Sequence, residues 1–134
     1  MSAYSEETKL LIESGETTLA GKLRLSGPVD DIVELYQMAD VFLLGSYNEG
    51  TPNVLLEAMS CGLPVICRDL EGISNFLIFP GKNGYLFSDY ESFKFAFRNL
   101  YSDLDKRREL GRFSRTIIEK DHSFEKLYQT VFQK

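Results

Sequence analysis

The sequence predicts an α/β fold: a Rossmann-like parallel sheet flanked by helices. Its apolar runs are short and unbroken, as in "VFLL" and "LPVIC", the pattern of strands buried on both faces. These runs alternate with segments whose apolar residues recur at helical spacing, which is the mark of β-α-β units. Between one strand and the next helix lies "GSYNEGTPN", a loop of helix-starting residues at the sheet edge where open α/β folds bind ligands.

Taken in order, residues 4–13 carry Leu10, Leu11 and Ile12 in polar surroundings and read as a surface helix ending at the Gly15 turn. "KLRLSG" at 22–27 reads as a strand. Residues 28–40 place Ile32, Val33, Leu35, Tyr36 and Met38 at helical spacing after acidic residues suited to a helix start, and "VFLLGS" follows as a buried strand. A helix from about 52 to 61 presents Val54, Leu55, Ala58 and Met59 as its apolar face. Gly62 stands where a left-handed C-cap belongs, with Pro64 beyond it. Next come the strand "LPVIC", a loop at "LEG", and the apolar segments "FLIF" and "YLF" flanking "PGKNG", whose Asn-Gly is a turn signal.

From Tyr90 onward the pattern is helical. Phe93, Phe95, Phe97, Leu100 and Tyr101 read as core packing rather than an aromatic groove, and "DLDKRREL" as a solvated face of alternating charge. Residues 1–134 are thus expected to form a single, partial domain with C-terminal helices at about 90–134. It is expected to be partial because a doubly wound fold opens with a strand, a glycine turn and a helix, and this chain opens with a surface helix. An incomplete sheet would leave an apolar edge, so self-association is expected.

At 43% hydrophobic and 26% charged, the 134 residues have the composition of one soluble globular domain. The polar, acidic N-terminus has no leader pattern, which places the chain in the cytoplasm. A net charge of −5, with basic residues scattered apart from "KRR" at 106–108, excludes the positive surface that a nucleic-acid partner requires. Cys61 and Cys67 fit neither a CxxC pair nor a zinc pattern and read as buried free thiols. One histidine, His122, leaves no material for a histidine metal site or a Ser-His-Asp triad, so neither metal nor cofactor is expected.

The central motif is "YNEGTPNVLLEAMSCGLPV". Thr51 suits an N-cap and Pro52 the first helical position, so the amides of Asn53 and Val54 become free donors at the positive end of a helix. Gly50 permits close backbone approach. Glu57, at the side of a buried helix face, needs a partner, because a bare buried carboxylate costs several kcal/mol. Sugar hydroxyls would serve, and two carboxylates, Glu49 and Glu57, flanking a helix start suit a ligand with hydroxyls at both ends and a phosphate between. Equally, the dipole favours Glu49 at a helix start, and Glu57 has Arg24 and Arg68 as candidate ion-pair partners. Spacing alone does not separate the two readings.

"ADVFLLGSYNEGTPNVLLEAMSCGLPVICRDLEG", together with "GKNGYLF", resembles the donor-binding signature of family 4 glycosyltransferases, retaining enzymes of the two-Rossmann-domain B fold. The likeness runs from about 22 to 87 and includes the E-x7-E motif. The resemblance implies a C-terminal donor domain that binds a nucleoside-diphosphate sugar for transfer to a hydroxyl acceptor. It implies that Glu57 holds the ribose hydroxyls and that Glu49 lies by the transferred sugar as the catalytic carboxylate. It further implies that Gly50, Thr51, Pro52, Asn53 and Val54 surround sugar and diphosphate, Pro52 without a donor, and that Ser26 and Gly27 lie against the base. Preorganised amides and a helix dipole would stabilise the leaving diphosphate without a metal.

The chain departs from the family at Gly45, where a proline is usual, and at Ser74 and Asn75, where Pro-Glu is usual. Nothing in residues 1–21 supplies the family's first strand, glycine turn and basic pair, so a fragment or truncated product is expected, with its acceptor domain elsewhere or on a partner subunit. Lys22, Arg24 and Arg68 are candidates to replace the basic pair, set against a reading as solvated surface charges. Two alternatives stand beside the transferase: a B-fold sugar-nucleotide epimerase fragment, and a non-catalytic interaction module with the same fold.

Overall fold

The computed structural model describes residues 29–47, 53–70 and 74–121. The chain divides into two units, Met1–Ile32 and Val33–Lys134, and the architecture below belongs to the second. In chain order the elements are α1 (Ile32–Met38), β1 (Phe42–Leu44), α2 (Asn53–Ser60), β2 (Val65–Arg68), α3 (Ser74–Leu77), β3 (Gly84–Phe87), α4 (Tyr90–Tyr101) and α5 (Leu104–Asp121). The strands form a parallel sheet in the order β1-β2-β3, with Phe42 opposite Val65 and Val65 opposite Gly84. The expected α/β class and parallel sheet are present. The helix at 4–13 and the strand at 22–27 lie outside the described residues.

Strand β2 is the centre. Val65 and Cys67 point to one face, where they meet Leu44, Leu55 and Met59 of α2, Leu77, Ile78 and Ile117. Ile66 points to the other and meets Phe87, Ala96 and Leu100 of α4, and Leu110. Such double burial is why β2 reads as a continuous apolar run, each wholly buried side chain contributing roughly 1.5–3 kcal/mol, whereas β1, expected to be buried on both faces, leaves its middle residue Leu43 half exposed.

Helix α2 buries Leu55, Ala58 and Met59, while Val54, expected on the same face, is exposed. The helix stops as expected. Gly62 takes φ 77°, and Leu63 N donates to Ala58 O at 3.2 Å, closing a left-handed C-cap. Helix α4 starts at a capping box: Ser92 N donates to Asp89 Oδ1 at 2.8 Å and Asp89 N to Ser92 Oγ at 3.2 Å.

The turn expected at "PGKNG" is present, with Lys82 N donating to Phe79 O at 2.9 Å and Asn83 wholly buried within it. Of the segments flanking it, Phe76 and Leu77 of "FLIF" close α3 and "YLF" lies in β3. Asn83 Nδ2 donates to Leu77 O at 2.8 Å, and its Oδ1 accepts from Phe79 N at 2.7 Å. The side chain thus reinforces the backbone turn that leads into β3. Two readings beyond these segments need correction. On α4, Leu100 is buried and Phe93 packs against the second core, but Phe95, Phe97 and Tyr101 are exposed. Phe97 and Tyr101 stack with ring centroids 5.8 Å apart and border a cleft of 370 Å³ with Val41 and Arg107. Nor is "DLDKRREL" wholly solvated: Leu110 is buried, and Arg107 Nη1 donates to Leu100 O and Tyr101 O at 2.6 and 3.0 Å, tying down the end of α4.

Helix α5 crosses the amino-terminal end of the sheet. Gly111 faces Gly62 and Pro64, which lead into β2, and Ser114 Oγ donates at 3.3 Å to the carbonyl of Asn83, which leads into β3. A glycine inside a helix costs roughly 0.5–1 kcal/mol against alanine, so its presence needs a steric reason. The reason is close approach, since a Cβ at Gly111 would stand 2.1 Å from Gly62 O. Gly111→Ala is therefore expected to lower stability by about 1–3 kcal/mol in chemical denaturation despite the better helix propensity of alanine.

Candidate functional site

With α5 across the amino ends, the carboxyl ends of the strands are, among the described residues, the open edge. Parallel connectivity brings the start of α2 to this edge, and the amides of its first turn lack partners within the helix. Asn53 and Val54 are both exposed there. One turn on, about 6 Å along the axis, stands Glu57, also exposed.

Arg68, one of the basic partners considered for Glu57, is engaged elsewhere, and the other, Arg24, lies outside the described residues. Instead the hydroxyl of Tyr36, on α1, donates to its Oε2 at 3.1 Å. Tyr36 is only 5% exposed and packs with Ala58 and Leu63, its ring edge-on to Phe42 at 5.8 Å. Burial first, and then the bond to the Glu57 carboxylate, pushes its phenol from 10.0 up to about 12. The hydroxyl is thus a neutral donor throughout the physiological range, and it engages one oxygen of a carboxylate that otherwise faces solvent.

Arg68 ends β2 at the same edge. Its Nε donates to Gly45 O at 3.1 Å, and its guanidinium lies 4.0 Å from the Tyr47 ring centroid and 4.9 Å from that of Phe87. This corrects the surface-charge reading, because the side chain braces the segment after β1 against β3. Beside it lies a cleft of 370 Å³, also lined by Ser88, Tyr90 and Phe93. Cys67 is buried and Cys61 half-buried, and both are free thiols. Among the described residues, no group of three His, Cys, Asp or Glu side chains is placed to hold a metal ion.

Of the residues singled out in the sequence, the structure places Asn53, Val54 and Glu57 on one short helix at the open edge. Glu49, Gly50, Thr51, Pro52, Ser26 and Gly27 lie outside the described residues, as do Lys22 and Arg24. Tyr36 was missed as a polar residue. It had been assigned only to the apolar stripe of its helix, and its partner is 21 positions away.

The chain belongs to the family "Glycosyl transferases group 1", which matches residues 3–103. It is 37% identical to "Spore coat protein SA" of Bacillus subtilis (strain 168) over 75% of this chain and 28% of that protein. It is 33% identical to "Sulfoquinovosyl transferase SQD2" of Arabidopsis thaliana over 87% of this chain and 23% of that one. The chain thus spans about a quarter of the length of these relatives. In structure it is similar to the C-terminal domain of a glycosyl transferase group 1 protein (LpcC) from Francisella tularensis, with TM-score 0.71 and 21% identity, over 88% of this chain and 63% of that one. The fold is that of the C-terminal, Rossmann-like half of a B-type glycosyltransferase.

A phenol harder to ionise in the folded state than in the unfolded one stabilises the fold below its ordinary pKa and ceases to do so above its folded one. Denaturation midpoints should therefore fall as pH rises from 10.0 to about 12 in the wild type. Tyr36→Phe should lose less across that window when the two are compared by urea denaturation at fixed pH.

Proposed function

We propose that this chain is the nucleotide-sugar-binding part of a retaining glycosyltransferase that moves a glycosyl group from a nucleoside diphosphate to a hydroxyl acceptor. The observation that carries the reading is Glu57. It is a solvent-facing carboxylate one turn inside a helix that starts at the open sheet edge, and among the described residues it is held by a buried tyrosine hydroxyl rather than by a cation. A structural carboxylate would be spent on an ion pair, whereas this one keeps acceptor capacity for ligand hydroxyls. Family membership and the transferase name of the plant relative support the same chemistry.

In this reading Glu57 accepts hydrogen bonds from the ribose, and Glu49 lies by the transferred sugar as the catalytic carboxylate. Gly50, Thr51, Pro52, Asn53 and Val54 surround sugar and diphosphate, with the helix dipole of α2 offsetting the charge that develops on the leaving phosphate. Ser26 and Gly27 lie against the base. The acceptor is held by a further domain or a partner subunit, in the cytoplasm, and no metal takes part. A non-catalytic interaction module is the second reading, favoured by the name of the bacterial relative.

Calorimetric titration of the chain with UDP, GDP, ADP and their sugar conjugates tests the proposal. One base is expected to bind, and Glu57→Gln to weaken it about 10- to 100-fold, the effect of losing a hydrogen bond to a charged group. A folded chain that binds none of these, yet forms a stable complex with a second protein, would favour the interaction module.

A further inference from the structure

Within this donor-site reading, on which the inference rests, we propose that Tyr36 is a positioning residue. Its hydroxyl fixes the Glu57 carboxylate so that the remaining lone pairs meet the vicinal 2′- and 3′-hydroxyls of a ribonucleoside diphosphate. The pair Tyr36–Glu57 then selects ribose over sugars lacking those hydroxyls.

The geometry has two unequal partners. Tyr36 sits in a packed environment: its ring contacts Ala58 and Leu63, meets Phe42 edge-on at 5.8 Å, and leaves 5% of the residue exposed. Its hydroxyl therefore has a nearly fixed position. Glu57 has no such support, because it projects from an exposed helix side and would sample several rotamers in water. The 3.1 Å bond to Oε2 ties the mobile group to the fixed one. An ionised carboxylate offers about four lone-pair sites, and Tyr36 occupies one, leaving Oε1 and part of Oε2 for two neighbouring hydroxyls.

The bond also differs from an ion pair in what it leaves behind. Arg68, the nearest cation candidate from the sequence, is committed to Gly45 O, Tyr47 and Phe87. A ligand hydroxyl reaching Glu57 therefore has no Arg68 guanidinium to displace. A tyrosine partner thus orients the carboxylate without neutralising it, which is preorganisation of a binding group by a supporting residue.

The test compares a ribonucleoside diphosphate with its 2′,3′-dideoxy counterpart by calorimetry on wild type, Tyr36→Phe and Glu57→Gln, with thermal unfolding followed on each. Tyr36→Phe keeps the ring and removes only the hydroxyl. It should weaken the ribose form about 5- to 10-fold and leave the dideoxy form unchanged. Equal weakening of both forms, or none with Glu57→Gln still impaired, overturns the positioning role while the donor site stands. A silent Glu57→Gln, or a folded wild type that binds neither form, overturns the donor site and this inference together. A second readout avoids the variant: in the wild-type chain labelled with 3-fluorotyrosine, one fluorine resonance should move with the ribose form and stay with the dideoxy form. Identical spectra with both would count against the role.

Discussion

Much of this structure depends on one close approach: the backbone of α5 at Gly111 lies against the backbone of the turn at Gly62. Neither position has a side chain to hold the two segments apart, so the helix lies directly across the amino ends of β2 and β3. From there it sends Leu110 into the core on one face of the sheet and Ile117 into the core on the other. A single helix thus joins two apolar layers that the sheet would otherwise separate. With the amino edge covered, the strand ends that remain accessible among the described residues are the carboxyl ends, where parallel topology also delivers the start of α2.

At that open edge, polar groups are arranged by depth. The buried member, Tyr36, is neutral and stays so well above physiological pH, which avoids the cost of a buried charge. The charged member, Glu57, sits outside, where water solvates it. Arg68 follows a related rule, covering its cation with the faces of Tyr47 and Phe87 while its Nε satisfies the Gly45 carbonyl at the end of β1. Each group therefore has a place consistent with its desolvation cost, and Glu57 is the one with acceptor capacity to spare.

The parts legible in the sequence were those governed by local rules. β2 announced itself as an unbroken apolar run because both its faces are covered, and α2 could be bounded by the Gly62 C-cap because a positive φ there calls for glycine. Glu57 stood out because a carboxylate beside buried residues needs an explanation. What escaped notice depended on partners distant in sequence. Asn83 reads as a turn residue, which it is, but only its bonds to Leu77 and Phe79 show its side chain bracing that turn from inside. The aromatic residues of α4 have helical spacing throughout, but spacing does not say how wide a stripe the sheet can cover. The sheet takes Phe93 and leaves Phe97 and Tyr101 outside. Tyr36 escaped for the plainest reason: an apolar ring and a polar tip were read as the ring alone.

The contact between Gly62 and Gly111 also bears on how such a chain can change over generations. A side chain at 111 would strike the carbonyl of Gly62, and one at 62 would need the left-handed backbone that side chains disfavour. The two sites are therefore a single heritable unit, open to drift only if the helix lifts away and both apolar layers repack. Divergence is cheaper at exposed positions such as Asn53 and Val54, where substitutions leave both layers undisturbed, so novelty can accumulate on a base that is held nearly constant.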